Sequence, residues 1–509
     1  MQTRKRRRSP ASEPPKPART VAYRHLRHPF PPQPYFSADR VGEIHETALK
    51  VLEELGLKIL YPEARDLFRK GGALVDEDSE MVRIGREIIG AALASAPRQM
   101  PLKAANPKRD QMMAEGNMLV KAGAGCPNVS DRLRGRRPGT LKAFEDTLKL
   151  QQHFDAIHLL SLSAEPQDVP PALRHYDITR AQLLTSDKPM FAFARGRGQV
   201  EEAFEMVRLA LDLDEDAWGA GTWVSTVINT NSPRQIDNPM AQGIIDFARH
   251  GQMSVITPFC LAGAMAPITV EGALVLQHAE ALAGITLAQL ARAGAPVAYG
   301  GFSSNVDMKS GAPAFGTPEH VKLTLGTGQM ARHIGLPWRT AAGSASNIGD
   351  AQGASENAMG LWAAYLANAT MTMHGAGWLE GGLCFGFEKF INDMETLQTL
   401  AELAVPPEEG SDALSWEALR DVVPGGHFFD TPQTMERFRD AFYPPLNADL
   451  TNFGRWSETG AVDANARATD VWQEVLATHQ PPAHAGAAAE RLAPYIERRT
   501  REGGVVPFA

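Results

Sequence analysis

The sequence predicts an α/β fold, a (β/α)8 TIM barrel with an N-terminal helical extension and additional C-terminal helices. From about residue 140, short apolar runs alternate with helical stretches, which is typical of parallel strands joined by crossover helices. Almost every apolar run ends in small and polar residues. A barrel uses all its strand ends for one site, whereas an open doubly wound sheet uses mainly its switch point. The doubly wound sheet is the alternative, but no Gly-x-Gly-x-x-Gly turn supports it.

The chain begins with a basic segment that differs from everything after it. Residues 1–28 carry nine Lys or Arg residues and one acid, a net charge of +8, whereas the other 481 residues carry −16. Proline is frequent and large apolar residues are few, so this segment buries too little surface to offset its chain entropy. We predict a disordered, basic, proline-rich arm over residues 1–36. The acidic body argues against a nucleic-acid enzyme, because phosphate binding needs a basic face.

The remaining chain divides into three parts by its patterns. Residues 37–136 form the extension, with helices predicted from an N-cap at Ser37, over about 62–71 and over about 85–95. Residues 137–410 form the barrel. Its seven clear strands are Ile157–Ala164, Pro189–Gly196, Trp223–Thr230, Met253–Cys260, Pro296–Ser304, Pro337–Ala345 and Ala369–Trp378. The eighth strand comes from 381–387 or from 117–130. Residues 411–509 supply helices at about 432–441 and 465–478, and then a tail rich in Ala, Pro and Arg.

Several kinds of site are excluded by their missing motifs. The three cysteines lie more than 120 residues apart, which excludes a disulfide scaffold and fits a reducing cytoplasm. No His-Glu-x-x-His, Gly-x-Ser-x-Gly or phosphate-binding loop occurs, so we expect no bound metal. The most apolar window, Met253–Leu276, is interrupted by two prolines and predicts a buried strand rather than a membrane span. We therefore expect a cytoplasmic enzyme that binds neither nucleic acid nor membrane.

Aromatic residues lie near the ends of several predicted strands. They are Tyr299, Phe302, Trp378 and Phe385, and each has a glycine close by in the sequence. Rings that converge on a small pocket can bind a quaternary ammonium ion through cation–π attraction. Ordinary core packing is the alternative for each ring taken alone.

A dense polar stretch follows the predicted strand Pro337–Ala345. In it, Asp350 is placed to cap a helix, and Gln352 and Glu356 lie one turn apart on that helix. A cap with a solvated helix face explains these residues as well as a site does. His374 ends the next strand, where it could bind a carboxylate or carry a proton.

Several of these stretches together resemble the trimethylamine methyltransferase (MttB) superfamily, in its version without pyrrolysine. The resemblance covers about residues 37–460. It is carried by Ile44-His45-Glu46 with Leu55-Gly56-Leu57, by the stretch 339–352, by Gly375-Ala376-Gly377 with Glu380-Gly381-Gly382, and by Gly425-Gly426-His427-Phe428 with Thr431. In pyrrolysine-containing relatives, the special residue stands three positions before the Asp of Asp-x-Gln. Asn347 occupies that position here, which puts trimethylamine in doubt as the substrate.

The resemblance implies a TIM barrel that moves a methyl group from an amine to a corrinoid (cobalamin) carried by a partner protein. A quaternary amine loses methyl as a neutral tertiary amine, so a glycine betaine-like substrate needs no amine-activating residue. On this reading Asn347, Asp350, Gln352 and Glu356 are catalytic residues at the barrel mouth. The substrate-binding residues are an aromatic wall of Tyr299, Phe302, Trp378 and Phe385, with His374 and Arg195 for a carboxylate.

Other functions remain open from the sequence alone. The same barrel could act on trimethylamine, proline betaine or a carnitine-like compound, or it could be a betaine-binding barrel without catalysis. We expect a homo-oligomer, with the C-terminal helices as one source of contact.

Overall fold

The computed structural model describes residues 21–508, so the part of the predicted arm before Val21 lies outside the described residues. Its centre is a ring of eight parallel segments. In chain order these are Asn117–Val120, residues 158–160, Met190–Phe191, Val224–Ile228, Met253–Ile256, Val297–Gly300, Trp338–Ala341 and Met371–Met373. The seven strands predicted from apolar runs all contribute to this ring. The predicted (β/α)8 barrel is therefore confirmed.

The ring closes through one of the two segments that the sequence offered for the eighth strand, residues 117–130. Met371 pairs with Leu119 in parallel, so the last strand lies beside the first. Lys121 then pairs with Leu159, and the Leu160 amide donates to the Pro189 carbonyl at 3.0 Å, which joins the second segment to the third. The eighth strand thus comes from 117–130 and not from 381–387. It lies upstream of the predicted domain boundary at residue 137.

A helix follows each segment of the ring and packs outside it, as a crossover connection requires. The eight helices are Leu141–His153, Arg174–Thr185, Arg197–Leu211, Asn238–Arg249, Val270–Ala291, Pro318–His333, Ala351–Leu366 and Phe387–Leu403. Val270–Ala291 is long and apolar enough to span a membrane, but 89% of its apolar window is buried inside the protein. It is a core helix of the barrel wall.

The N-terminal extension has the three predicted helices, at Ala38–Lys50, Pro62–Lys70 and Arg86–Ser95. Ser37 caps the first by accepting from the Arg40 amide, and the helix continues as a π-turn, Val51–Leu55. Short strands complete the extension: Leu57–Ile59, Leu74–Asp76, Met81–Arg83, Gln99–Leu102 and Gln111–Ala114.

The second half of the predicted disordered arm is ordered, which corrects that expectation. Leu26–Arg27 forms an antiparallel pair with Asn117–Met118 at the start of the first barrel strand. The Val21 amide donates to Gln398 at 2.8 Å, and the Leu26 side chain is buried. Composition missed this because the segment gains its stability from the barrel, and not from a core of its own.

Two small sheets form a collar around the carboxyl end of the barrel. One combines Asn128–Asp131, Gly135–Pro138, Trp378–Leu379 and Cys384–Gly386. The other combines Leu261–Ala262, Ser304–Val306 and Pro313–Ala314. Both arise from the loops that follow barrel strands, so these loops are held by strand pairing.

The C-terminal region is helical, at Trp416–Asp421, Pro432–Arg437, Phe453–Glu458, Ala464–Thr478 and Ala485–Arg501. Ala464–Thr478 packs on the last barrel helix, and its position matches the prediction. Ala485–Arg501 was expected to be a tail. Instead it packs on the second and third barrel helices and carries the chain end back to the barrel mouth.

Candidate functional site

A cavity of about 420 Å³ opens at the carboxyl end of the barrel. Its walls come from the ends of most of the barrel strands. Among its lining residues are Phe191, Phe193, Arg195, Asn229, Phe259, Phe302, Arg339, His374, Trp378 and Phe508. This is the end at which TIM barrels place their active sites.

One wall of the cavity is a cluster of packed rings. The Trp378 indole stacks on the His374 imidazole, with centroids 4.5 Å apart and an interplanar angle of 19°. Phe302 stands edge-on to Trp378 at 5.7 Å and stacks on Phe259 at 5.1 Å. Together these rings give the cavity a continuous aromatic surface, which attracts alkylammonium groups.

Trp378 is seated in this wall by glycine at position 343. A Cβ atom on Gly343 would lie 2.3 Å from the indole, and the φ of Gly343 is +116°, which L side chains rarely adopt. The indole Nε1 donates to the Ala124 carbonyl at 3.3 Å. The ring is therefore fixed on both sides before any ligand arrives.

Arg339 brings a positive charge to the cavity, and it has no acidic partner among the described residues. It lies in the strand Trp338–Ala341, only 2% of it is exposed, and its Nε and Nη1 atoms have no hydrogen-bond partner. Its guanidinium carbon lies 5.3 Å from the Phe302 ring centroid. Burial lowers the pKa of Arg339 to about 9, so it stays charged at neutral pH. Unpaired buried charge of this kind is costly, and an anionic ligand would relieve the cost.

His374 presents a second donor beside Arg339. The Ala124 amide donates to His374 Nδ1 at 3.2 Å, so a neutral imidazole carries its proton on Nε2. Burial, and the charges of Arg339 and Lys121, hold the pKa of His374 well below its usual range, which keeps the ring neutral. Nε2 lies 3.5 Å from Arg339 Nη2. Two donors at this distance do not bond each other, but both can donate to one oxygen placed between them.

Lys121 is buried against the ring of Phe191 and is not itself among the residues that line the cavity. Its ammonium is 4.0 Å from the centroid of that ring, and no acceptor among the described residues bonds to it. Burial and the charge of Arg339 hold the pKa of Lys121 well below its usual range. We call Lys121, Arg339 and His374 the donor trio. Of the described residues that line the cavity, none is Asp or Glu.

The structure places four of the six predicted substrate residues on the cavity, namely Phe302, Trp378, His374 and Arg195. Tyr299 is buried outside the ring, where its hydroxyl lies 3.1 Å from His278 Nδ1. Side chains alternate along a strand, and Tyr299 is on the outward register with Trp338. Phe385 is fully buried behind Gly377, against Phe387 and Phe390. Sequence position at a strand end did not reveal which side each ring faces.

Arg195 reaches the cavity but is already paired. Its Nη1 and Nη2 atoms donate to the two oxygens of Glu165 at 2.7 and 2.9 Å. Its guanidinium also lies 4.5 Å from the Phe193 ring centroid. Glu165 neutralises the charge that we expected to bind a carboxylate, so Arg195 shapes the wall instead.

The four predicted catalytic residues lie on the rim and not on the cavity. Asn347 is exposed, and Asp350 caps the helix Ala351–Leu366 by accepting from the Gly353 amide at 3.1 Å. Gln352 donates to Glu356 Oε1 at 2.8 Å. Glu356 Oε2 in turn accepts from Ser344 Oγ and from the amides of residues 345 and 346, at 2.6, 2.8 and 3.1 Å. These contacts brace the loop after the seventh strand.

The sequence analysis missed several residues of the cavity, among them Phe259, Arg339 and Phe508, and also Lys121 beside it. Arg339 was visible as the one charged residue in an apolar run, and an inward register would have identified it. Lys121 follows the strand that the apolar pattern left ambiguous. Phe508 comes from the C-terminal tail, where its amide donates to the Arg195 carbonyl at 2.9 Å and its ring lines the cavity. No local pattern could place a chain terminus at the barrel mouth.

Comparison with known proteins shows what this chain is similar to. Residues 2–504 match the family model described as trimethylamine methyltransferase (MTTB). A glycine betaine methyltransferase of Desulfitobacterium hafniense is 32% identical over 468 residues, covering 92% of this chain and 97% of that protein. A trimethylamine methyltransferase MttB of the same species is 28% identical over 472 residues, covering 92% and 95%. The solved Methanosarcina barkeri monomethylamine methyltransferase (MtmB) covers 90% of this chain and 92% of its own, at 9% identity and a TM-score of 0.44.

Proposed function

The chain belongs to the trimethylamine methyltransferase family and is a methyltransferase, and from this premise we propose its substrate and acceptor. The substrate is a carboxylate-bearing quaternary amine of the glycine betaine type. The acceptor of the methyl group is a corrinoid carried by a partner protein. The observation that carries the proposal is the pair Arg339 and His374 beside an aromatic wall in one cavity.

A zwitterion matches both halves of this cavity. The rings of Phe302 and Trp378 attract a trimethylammonium group by roughly 0.5–2 kcal/mol for each ring. Arg339 and the Nε2 proton of His374 offer hydrogen bonds to a carboxylate and would gain the acceptor that they lack. A bare cation would bring no anion to the unpaired charge of Arg339. The cavity therefore favours betaines over trimethylammonium or tetramethylammonium.

In this proposal the protein positions the substrate and excludes water. Arg339 and His374 fix the carboxylate, and the aromatic wall fixes the ammonium, so that one methyl group faces the barrel mouth. Loss of that methyl leaves a neutral tertiary amine, and no side chain has to supply a proton. The fixed rings keep water from the reacting methyl group. This explains how the chain can act with Asn347 at the position of pyrrolysine.

The mouth of the barrel carries apolar side chains that a partner's corrinoid could contact. Four loops expose a large apolar side chain there, each more than half exposed: Ile268, Met308, Ile348 and Leu383. A docked corrinoid would supply the nucleophile that accepts the methyl group. The four side chains would pack against the methyl groups of its ring. Since cysteines 126, 260 and 384 are free and buried, we also place the enzyme in the reducing cytoplasm.

The experiment compares ligands that differ only at the carboxylate end. Glycine betaine and choline share a trimethylammonium group, but choline has a hydroxyl in place of the carboxylate. We expect calorimetry to detect glycine betaine and to find choline at least tenfold weaker. Methyl transfer to cob(I)alamin, followed by its absorbance, should show the same preference. Equal affinity for both ligands, or turnover of trimethylamine alone, would overturn the betaine assignment.

A further inference from the structure

The last described residues of the chain return to the barrel mouth and form part of the cavity wall. We call residues 503–508, which come after the helix Ala485–Arg501, the C-terminal tail. Phe508 is the member of the tail that lines the cavity. The family model matches residues 2–504, so the part of the tail that reaches the cavity lies beyond the pattern that defines the family. The tail can therefore differ between relatives that share the barrel.

The C-terminal tail is held on the barrel before it reaches the cavity. The Val505 amide donates to the Ala172 carbonyl at 3.0 Å, and Gln199 Nε2 donates to the Val505 carbonyl at 2.7 Å. Gly504 passes so close to Ala172 that a Cβ atom on it would lie 2.3 Å from that carbonyl oxygen, and its φ is +72°. The position of Phe508 is therefore set by contacts that lie outside the cavity.

Phe508 closes the side of the cavity that lies opposite Arg339. The segments of the ring follow one another in chain order, and Arg195 comes after the third segment whereas Arg339 lies in the seventh. These two segments face each other across a ring of eight. The Phe508 amide donates to the Arg195 carbonyl at 2.9 Å, so the Phe508 ring stands at the far wall. Because 55% of this residue is exposed, its removal would open the cavity to solvent on that side.

We infer that the C-terminal tail limits the length of the betaine that the cavity accepts, with Phe508 as the residue that sets the limit. The inference rests on the proposed function, in which Arg339 and His374 bind the carboxylate. A longer chain between the carboxylate and the ammonium group moves the ammonium away from Arg339 and toward Phe508. One additional methylene group in a hydrophobic pocket can change the preference for a substrate by about 10- to 200-fold. The closed cavity should therefore prefer a betaine with a short chain.

The test compares two betaines that differ only in chain length. Glycine betaine has one methylene group between the ammonium and the carboxylate, and γ-butyrobetaine has three. We expect calorimetry on the wild-type protein to find γ-butyrobetaine at least tenfold weaker than glycine betaine. Phe508→Ala should bind γ-butyrobetaine more tightly and glycine betaine more weakly. The ratio of the two Kd values should therefore fall at least fivefold.

Two further variants separate the position of the tail from the presence of the ring. Gly504→Ala keeps the Phe508 ring but displaces the tail, because its Cβ would meet the Ala172 carbonyl, so it should shift the ratio in the same direction. The matched control is Val506→Ala, which shortens a side chain of the tail that is 63% exposed and lies outside the cavity lining. It should keep the ratio of the wild type.

Three outcomes would overturn the inference. An unchanged ratio in Phe508→Ala would do so and leave the betaine assignment standing, because glycine betaine would still bind. A shift of the same size in Val506→Ala would show that the ring of Phe508 does not set the limit. If the wild type binds neither betaine, the proposed function is wrong, and the inference that rests on it fails with it.

Discussion

Two polar clusters near the seventh strand differ in one respect. On the rim, Glu356 accepts four hydrogen bonds and Asp350 caps a helix, so these groups are satisfied by their neighbours. In the cavity, Arg339 on the seventh strand and His374 after the eighth are donors that face each other, with no acceptor among the described residues. A satisfied cluster braces the chain, whereas we propose that a ligand completes the unsatisfied one. On this proposal, hydrogen-bond satisfaction separates structural residues from binding residues better than sequence position does.

Removing the charge of Arg339 tests this difference between the clusters most strongly, because it should cause the largest loss of betaine affinity. Arg339→Gln should weaken glycine betaine binding by about 2–5 kcal/mol, or roughly 30-fold or more in Kd, because the carboxylate loses its charged partner. Calorimetry measures the change. Arg339→Lys keeps a charge and should recover part of the affinity. An unchanged Kd in Arg339→Gln would show that the carboxylate does not bind here.

A fall in pH should lower the stability of the fold through its buried imidazoles. Burial lowers the pKa of His320 to about 4, from 6.5 in the unfolded chain. The unfolded state then binds the proton first, so the stabilisation is complete above pH 6.5 and is lost as the pH falls toward 4. Between pH 7.5 and 5 this one residue should remove about 2 kcal/mol from the free energy of unfolding.

Urea unfolding at the two pH values measures this loss. His320→Gln cannot take up the proton, so its stability should fall by about 2 kcal/mol less than that of the wild type. The exposed His427→Gln variant, in the region after the last barrel helix, is the control and should follow the wild type. Equal losses in His320→Gln and the wild type would contradict the assignment of a neutral buried imidazole.

The sequence predicted the barrel because its strands and helices repeat with a period that local patterns record. It predicted Phe302, Trp378 and His374 at the cavity for the same reason, since each follows a strand. It failed for Tyr299 and Phe385, because the side that a ring faces depends on register. Register is set by pairing with a neighbouring strand far away in the chain.

Lys121 and Phe508, which the sequence analysis missed, depend on contacts of longer range still. Lys121 follows a strand that is recognisable only once it pairs with residues 371 and 159. Phe508 reaches the mouth because the helix Ala485–Arg501 packs on the barrel wall. No window of local sequence contains either contact.

Residues on the rim should show the opposite behaviour, a change in stability with little change in affinity. Glu356→Gln should lower the free energy of unfolding by about 1–2 kcal/mol, because a neutral amide accepts more weakly from Ser344 and from the amides of residues 345 and 346. The affinity for glycine betaine should change less than threefold. Thermal melting and calorimetry on the same sample separate the two effects. A stable Glu356→Gln variant that no longer binds betaine would show that Glu356 belongs to the binding site.

Phe508 belongs to neither cluster, and the loss of its ring should have the smallest effect on betaine binding. The side chain lines the cavity, yet 55% of it is exposed and its position rests on the hydrogen bond from its amide to the Arg195 carbonyl. An exposed ring contributes about 0.5–1 kcal/mol to binding a cation, so Phe508→Ala should raise the Kd for glycine betaine about two- to fivefold. Phe508→Tyr keeps the ring and should bind like the wild type. If Phe508→Ala also binds like the wild type, the tail only covers the mouth and the aromatic wall is complete without it.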